Sequence, residues 1–194
     1  MRAYSTMSNT PAPQPPHTAA SQPPRIGGQG GGPGDFADPR TIRKIYSYAR
    51  TVAIVGLSPS RLRASFFVAQ YLQYRGFRIV PVNPTADEIL GEKAYPSLVA
   101  IPFKVDVVDV FRDPAAAPTI AEEAIQTGAR ALWLQFGVIS PEAARRAAEA
   151  GLDVVMDRCM KIEHGRYFGE MHWFGLNTGI VTSRRPERIR ADGR

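Results

Sequence analysis

The feature that most constrains this chain is an alternation. Five short apolar runs rich in Val and Ile, "TVAIVG", "FRIVPVN", "VDVVDVF", "RALWLQFG" and "LDVVMD", are spaced by stretches of helical patterning. Short continuous apolar runs of this kind match strands buried on both faces, the condition of a parallel sheet. Between them "RASFFVAQYLQYRG", "AAPTIAEEAIQTG" and "SPEAARRAAEAG" read as crossover helices, and an irregular piece ending in "AYPSLVAIP" fills the remaining gap. Gly76, Gly128 and Gly151 stand where helices prefer a terminating glycine, and Ser140-Pro141-Glu142 supplies a cap followed by proline. Asp38-Pro39 opens one further short helix, with Ile42, Ile45, Tyr46 and Ala49 at helical spacing. The pattern predicts a Rossmann-like α/β fold, a doubly wound parallel five-stranded sheet in a single domain.

The 194 residues suit one domain with tails. Residues 1–37 are rich in Pro, Gly, Ser and Ala, lack periodic apolar positions, and read as a disordered leader. Like an organelle transit peptide the leader holds no acid before Asp35, but its prolines and few arginines argue against the amphipathic helix such a peptide needs. Residues 38–167 form the predicted domain, and residues 168–194 a C-terminal extension with a basic tail. Much of the net charge of +6 sits in that tail, at Arg184, Arg185, Arg188, Arg190 and Arg194, so the charge argues more for a solvated end than for a nucleic-acid surface. No apolar run reaches the roughly 20 residues of a membrane span, and no secretory signal opens the chain. The lone Cys159 excludes an internal disulfide and fits a reducing cytoplasm.

In an open parallel sheet, ligands sit outside the carboxyl ends of the strands, beside the point where strand order reverses. The candidate site is therefore the set of residues following each run. Gly56 permits a tight turn and close approach of a ligand to the backbone. The helix that follows opens its amides near Arg63 to Phe66 towards the same turn, which suits an anion. Arg61 and Arg63 add charge, and Ser58, Ser60 and Ser65 add hydroxyls. The competing reading is that Gly56 only ends a strand and the arginines are solvated.

The second run weighs against a nicotinamide dinucleotide. Such a site carries an acid at the end of its second strand for the ribose hydroxyls, whereas "VPVNP" offers none before Asp87. Two of the three fingerprint glycines are missing as well.

Taken together, "VAIVGLSP", "GFRIVPVNP", "ILGEKAYPSL", "VDVVDVFR", "ALWLQFGV" and "GLDVVMDRCMKIEH" resemble the small bacterial CoA-binding proteins of the YccU type. That family is similar to the CoA-binding domain of the succinyl-CoA synthetase alpha subunit. The likeness spans about Thr41 to His164, and leaves "GEMHWFGLNTGIV" unexplained. It implies coenzyme A as cofactor, with Gly56, Leu57, Ser58, Arg61, Arg63 and Ser65 at the diphosphate, Val82, Asn83 and Pro84 near the adenosine, and Phe111 and Arg112 at the next strand end. Gln135, Gly137 and Cys159 follow the later strands and complete the candidate set. Coenzyme A also makes electrostatic sense: its ribose 3′-phosphate suits arginines and would be repelled by a ribose-binding acid.

No catalytic constellation emerges. His17 lies in the leader, and His164 and His172 have no metal-ligand spacing and read as structural or exposed. Cys159 stands between Arg158 and Lys161, which could lower its pKa for a mixed disulfide or for nucleophilic attack. The bland alternative is a buried, inert thiol. The chain reads as a noncatalytic binder of CoA or acyl-CoA, with oligomeric state and partner subunit left open. The rivals are a CoA-dependent ligase or acyl-transfer component with its catalytic subunit elsewhere, and an NAD(P)-binding regulatory protein.

Overall fold

The structure is a computed structural model, which describes residues 33–169. The predicted leader lies almost wholly outside the described residues, as do His17, His172, "GEMHWFGLNTGIV" from Glu170 onward, and the basic tail. After a single 3-10 turn at Pro33–Phe36, helix α1 (Pro39–Tyr48) starts as its sequence dictates. The Asp38 side chain accepts from the Arg40 amide, and Pro39 takes the first helical position. The chain then runs β1 (Thr51–Val55), α2 (Ala64–Tyr74), β2 (Arg78–Val82), a hairpin of β3 (Glu88–Ile89) and β4 (Glu92–Lys93), β5 (Val107–Val110), α3 (Ala117–Gln126), β6 (Ala131–Leu134), α4 (Pro141–Glu149), β7 (Asp153–Met156) and α5 (Met160–Phe168).

The main sheet has five parallel strands in the order β2-β1-β5-β6-β7. Every residue of β5 and β6 is buried, because helices cover both faces. Strand parity divides the core. Ala53, Val55, Val108, Val110, Leu132 and Leu134 point to α3 and α4, whereas Val52, Ile54, Val107 and Trp133 point to α1, α2 and α5. Pro81 is tolerated in β2 because β2 is the edge strand. The β4 side of that edge adds only Tyr95, whose amide donates to the Pro81 carbonyl at 2.9 Å.

Two elements depart from the expectation. The irregular piece before "AYPSLVAIP" contains the β3–β4 hairpin, turned by Leu90 and Gly91, both at positive φ. Past the fifth strand stands α5, whose hydrophobic stripe is interrupted by two charged residues, Glu163 and Arg166, that are themselves buried. Glu163 is held by Arg166 at 2.9 Å and approached by Arg158 at 3.9 Å.

Helix α2 is anchored by Phe66, Val68, Ala69 and Leu72, and Leu72 is fully buried. Leu72→Ala should cost about 2–5 kcal/mol of unfolding free energy, measured by urea denaturation. A cost under about 1 kcal/mol would show that α2 is not held to the sheet through this side chain.

Candidate functional site

Strand order reverses between β1 and β5. The chain leaves β1 through α2 to reach β2 on one side, then crosses back to place β5 on the other. The carboxyl ends of these two strands therefore diverge into the loops Gly56–Arg63 and Phe111–Arg112. Gly56 has φ +87°, a conformation a side chain resists. The glycine also has a packing reason that its sequence context did not disclose. A Cβ at this position would lie 2.9 Å from Arg112 Cδ and 3.3 Å from the Phe111 carbonyl carbon. The two loops meet at Gly56, and the Arg112 stem lies across it.

The turn after β1 is braced from within. The Ser58 amide donates to Ser65 Oγ at 3.1 Å, the Ser60 amide to Ser58 Oγ at 3.2 Å, and the Leu62 amide to Ser60 Oγ at 3.4 Å. No side chain caps the start of α2, whose first amides open beside this turn. Asn83 ties the β2 loop to the β1 loop, with its amide donating to the Leu57 carbonyl at 2.8 Å and its oxygen accepting from Thr85. The Gly56 amide donates to the Val82 carbonyl at 3.0 Å. Leu57 and Val82 are buried, so they shape the rim through their backbone, while Pro84 is exposed beside it.

Arg61, Arg63 and Arg112 are exposed and pair with no carboxylate among the described residues. The expected cluster of cations around the β1 turn thus has its charge uncompensated among the described residues. A second groove, about 370 Å³, opens between the first turns of α3 and α4 and is lined by Pro118, Thr119, Glu122, Glu142 and Arg146. Its arginine is already paired with Glu122, and its remaining charge is acidic, which is the wrong sign for a polyanion.

Two of the expected residues, Gln135 and Cys159, are buried below the rim. Gln135 is buried, with its Nε2 donating to both oxygens of Asp109 at 2.8 and 3.0 Å. Phe111 is half-buried against the α1/α2/α5 side of the core. Gly137 is exposed at φ +79°, but its amide donates to Asp157 Oδ1 at 3.0 Å. Asp109 was missed by the sequence reading, whereas Asp157 lies in the set of residues following the strands. The signal for Asp109 was available: an acid inside the buried run "VDVVDVF" needs a partner or a proton.

For Cys159 the structure favours the buried, inert alternative. It is 9% exposed and lies in the core cluster with Tyr46, Trp133 and Met160. Burial pushes its thiol pKa up and outweighs the lowering by Lys161. The Arg158 guanidinium is turned away, donating to the Asp157 carbonyl and facing Glu163. His164 stacks among Tyr46, Tyr71, Phe77 and Phe168, its Nδ1 3.0 Å from the Tyr71 hydroxyl, and burial pushes its pKa down. No cluster of three or more His, Cys, Asp or Glu suited to a metal occurs among the described residues, and no helix there is long and apolar enough to cross a membrane. Cys159 should react with iodoacetamide near neutral pH at least about tenfold more slowly in the native protein than in urea. Equal rates, read by intact-protein mass spectrometry, would show that the thiol is accessible and the burial argument wrong.

Comparison with known proteins places this rim in context. Residues 50–165 match the family model described as a CoA binding domain. An uncharacterized protein, YneT, from Bacillus subtilis is 42% identical over 123 residues, covering 63% of this chain and 91% of that protein. An ADP-forming acetate–CoA ligase II from Archaeoglobus fulgidus is 33% identical over 149 residues, covering 73% of this chain but only 21% of the ligase. Among solved structures, a hypothetical protein from Pyrococcus horikoshii is 41% identical with a TM-score of 0.66, covering 68% of this chain and 93% of that one. A Thermus thermophilus protein is 37% identical with a TM-score of 0.64, covering 68% and 99%. The sheet order, the rim at the β1–β5 divergence and the family match over 50–165 agree, and the chain belongs to the CoA-binding domain family.

Proposed function

We propose that this chain binds coenzyme A or an acyl-CoA at the carboxyl rim of its sheet, as a binding module without chemistry of its own. The observation that carries the proposal is the meeting, at the β1–β5 divergence, of the Gly56 turn, the uncapped start of α2 and three arginines without carboxylate partners among the described residues. In this reading the α2 amides and the Ser58 turn face the diphosphate, Arg61, Arg63 and Arg112 share the phosphate charge, and the Asn83–Pro84 corner borders the adenosine. Gln135 and Cys159 take no direct part, because both are buried below the rim. The binding-module reading is supported by the one candidate nucleophile, Cys159, packing in the core, and by His164 lying in an aromatic cluster. The ligase match favours a second reading, in which the module serves a larger acyl-CoA-forming assembly, since the chain matches only 21% of that ligase. A turnover assay with and without candidate partner proteins separates the two.

Coenzyme A should bind roughly ten- to a hundredfold more tightly than dephospho-CoA. An arginine–phosphate bond is worth about 1.5–3 kcal/mol, and calorimetry reads the difference directly. Equal dissociation constants would remove the 3′-phosphate from the arginine cluster.

Gly56→Val should abolish CoA binding in a protein still folded by circular dichroism, because it strains the turn and displaces Arg112. Gly76→Val is the control. Gly76 has φ +88° but nothing within 4 Å of its Cβ position, so it carries backbone strain at a distance from the rim. If both variants bind CoA normally, the site lies elsewhere.

A further inference from the structure

Asp109 stands one pleat below the rim, opposite Ile54 of β1 and Trp133 of β6, and is completely buried. No lysine, arginine or histidine among the described residues pairs with it. Its two oxygens share the single amide nitrogen of Gln135, which begins the loop after β6. That loop closes with the Val138 amide on the Gln135 carbonyl at 2.9 Å, and Gly137 is held in turn by Asp157. From Asp109 the chain continues directly into Phe111 and Arg112, the pair that meets Gly56. One buried pair therefore sits beneath two of the loops that border the rim.

The ionisable groups around it offer no compensation. Tyr46 of α1 feels the Asp109 charge but gives its own hydroxyl proton to the Met160 carbonyl at 2.6 Å. Cys159, before α5, feels the same charge and is itself raised by burial. Glu163 of α5 is occupied by Arg166 and Arg158. Tyr71 of α2 is engaged with His164. A carboxyl so placed is cheaper to keep protonated than to ionise, and burial pushes it up to about 8.

We propose that the Asp109–Gln135 pair is a positioning pair for the rim and a pH-dependent control on it: uncharged, it accepts the polyanionic ligand above it, and charged, it repels that ligand while the Gln135 amide stays bound to the carboxylate. The inference rests on the proposed binding of CoA and adds the regulation of that site.

The test is CoA affinity by calorimetry across pH 7 to about pH 9, in the full chain and in Asp109→Asn. The ligand's own titrations are common to both proteins and cancel. Wild-type affinity should fall by about tenfold more than the variant's over this range, the size expected for one negative charge acting across about 10 Å of protein. Parallel profiles overturn the inference. A second reading needs no variant: the Asp109 carboxyl resonance, followed by carbon NMR, should titrate near 8 and shift upward when CoA is bound, because coupling is reciprocal. Titration in the ordinary range near 3.8, or a midpoint that CoA leaves unmoved, overturns it even if Asp109→Asn does not fold. The same raised value fixes the sign for stability without ligand. The contribution of the protonated pair is complete below about 4 and is lost as pH rises to about 8, so wild type should fall relative to the variant in that window. Wild type that binds CoA equally at both pH values refutes this inference alone, whereas wild type that binds no CoA at any pH refutes the proposed function with it.

Discussion

The burial of β1 between β2 and β5 is the constraint on which the rest of the molecule depends. A parallel strand covered on both faces has its hydrogen bonds taken by two neighbours and its side chains by two helical layers. Only its end is free. Because the chain departs from β1 to one side and returns on the other, no crossover roofs the gap above β1 and β5. The open rim follows from strand order, and the residues found there acquire their role by being where the chain parts.

What distinguishes this rim is how it divides its polar groups. Serine hydroxyl oxygens and the Asn83 amide are turned inward, holding turns and loops to one another. Each such bond contributes only about 1 kcal/mol, but leaving its partner unmet would cost more, so the loops are fixed. The arginines are treated in the opposite way. Among the described residues, Arg61, Arg63 and Arg112 receive no carboxylate, although acids are paired elsewhere, Glu122 with Arg146 and Asp153 with Lys44. A surface that keeps its cations unpaired at a preformed turn leaves their charge available to an anion from outside, as the proposed function requires.

The same economy explains why neighbours in sequence misled about Cys159. Arg158 and Lys161 flank it along the chain, but Cys159 itself packs into the core. The Arg158 guanidinium donates to the Asp157 backbone carbonyl and faces Glu163, and the thiol goes to the core. Electrostatic influence depends on distance and on what lies between, and the sequence interval measures neither.

Much of the fold was legible because its signals are local. Periodicity, caps and glycine stops located all five main strands and the helices α1 to α4, since each depends on residues within one turn or one strand. The β3–β4 hairpin escaped because two-residue strands have no period, and α5 because Glu163 and Arg166 break its apolar stripe while being buried together. At the site, Gly56, the arginines and the loops after each strand were visible from the sequence, along with the family that their order resembles. The tertiary structure alone decided which polar residues face the rim and which face inward. Gln135 meets Asp109 across 26 residues of chain, and Gly56 meets Arg112 across the reversal of strand order. Those contacts are between residues brought together by strand pairing, and a sequence read one segment at a time contains the strands but not their adjacency.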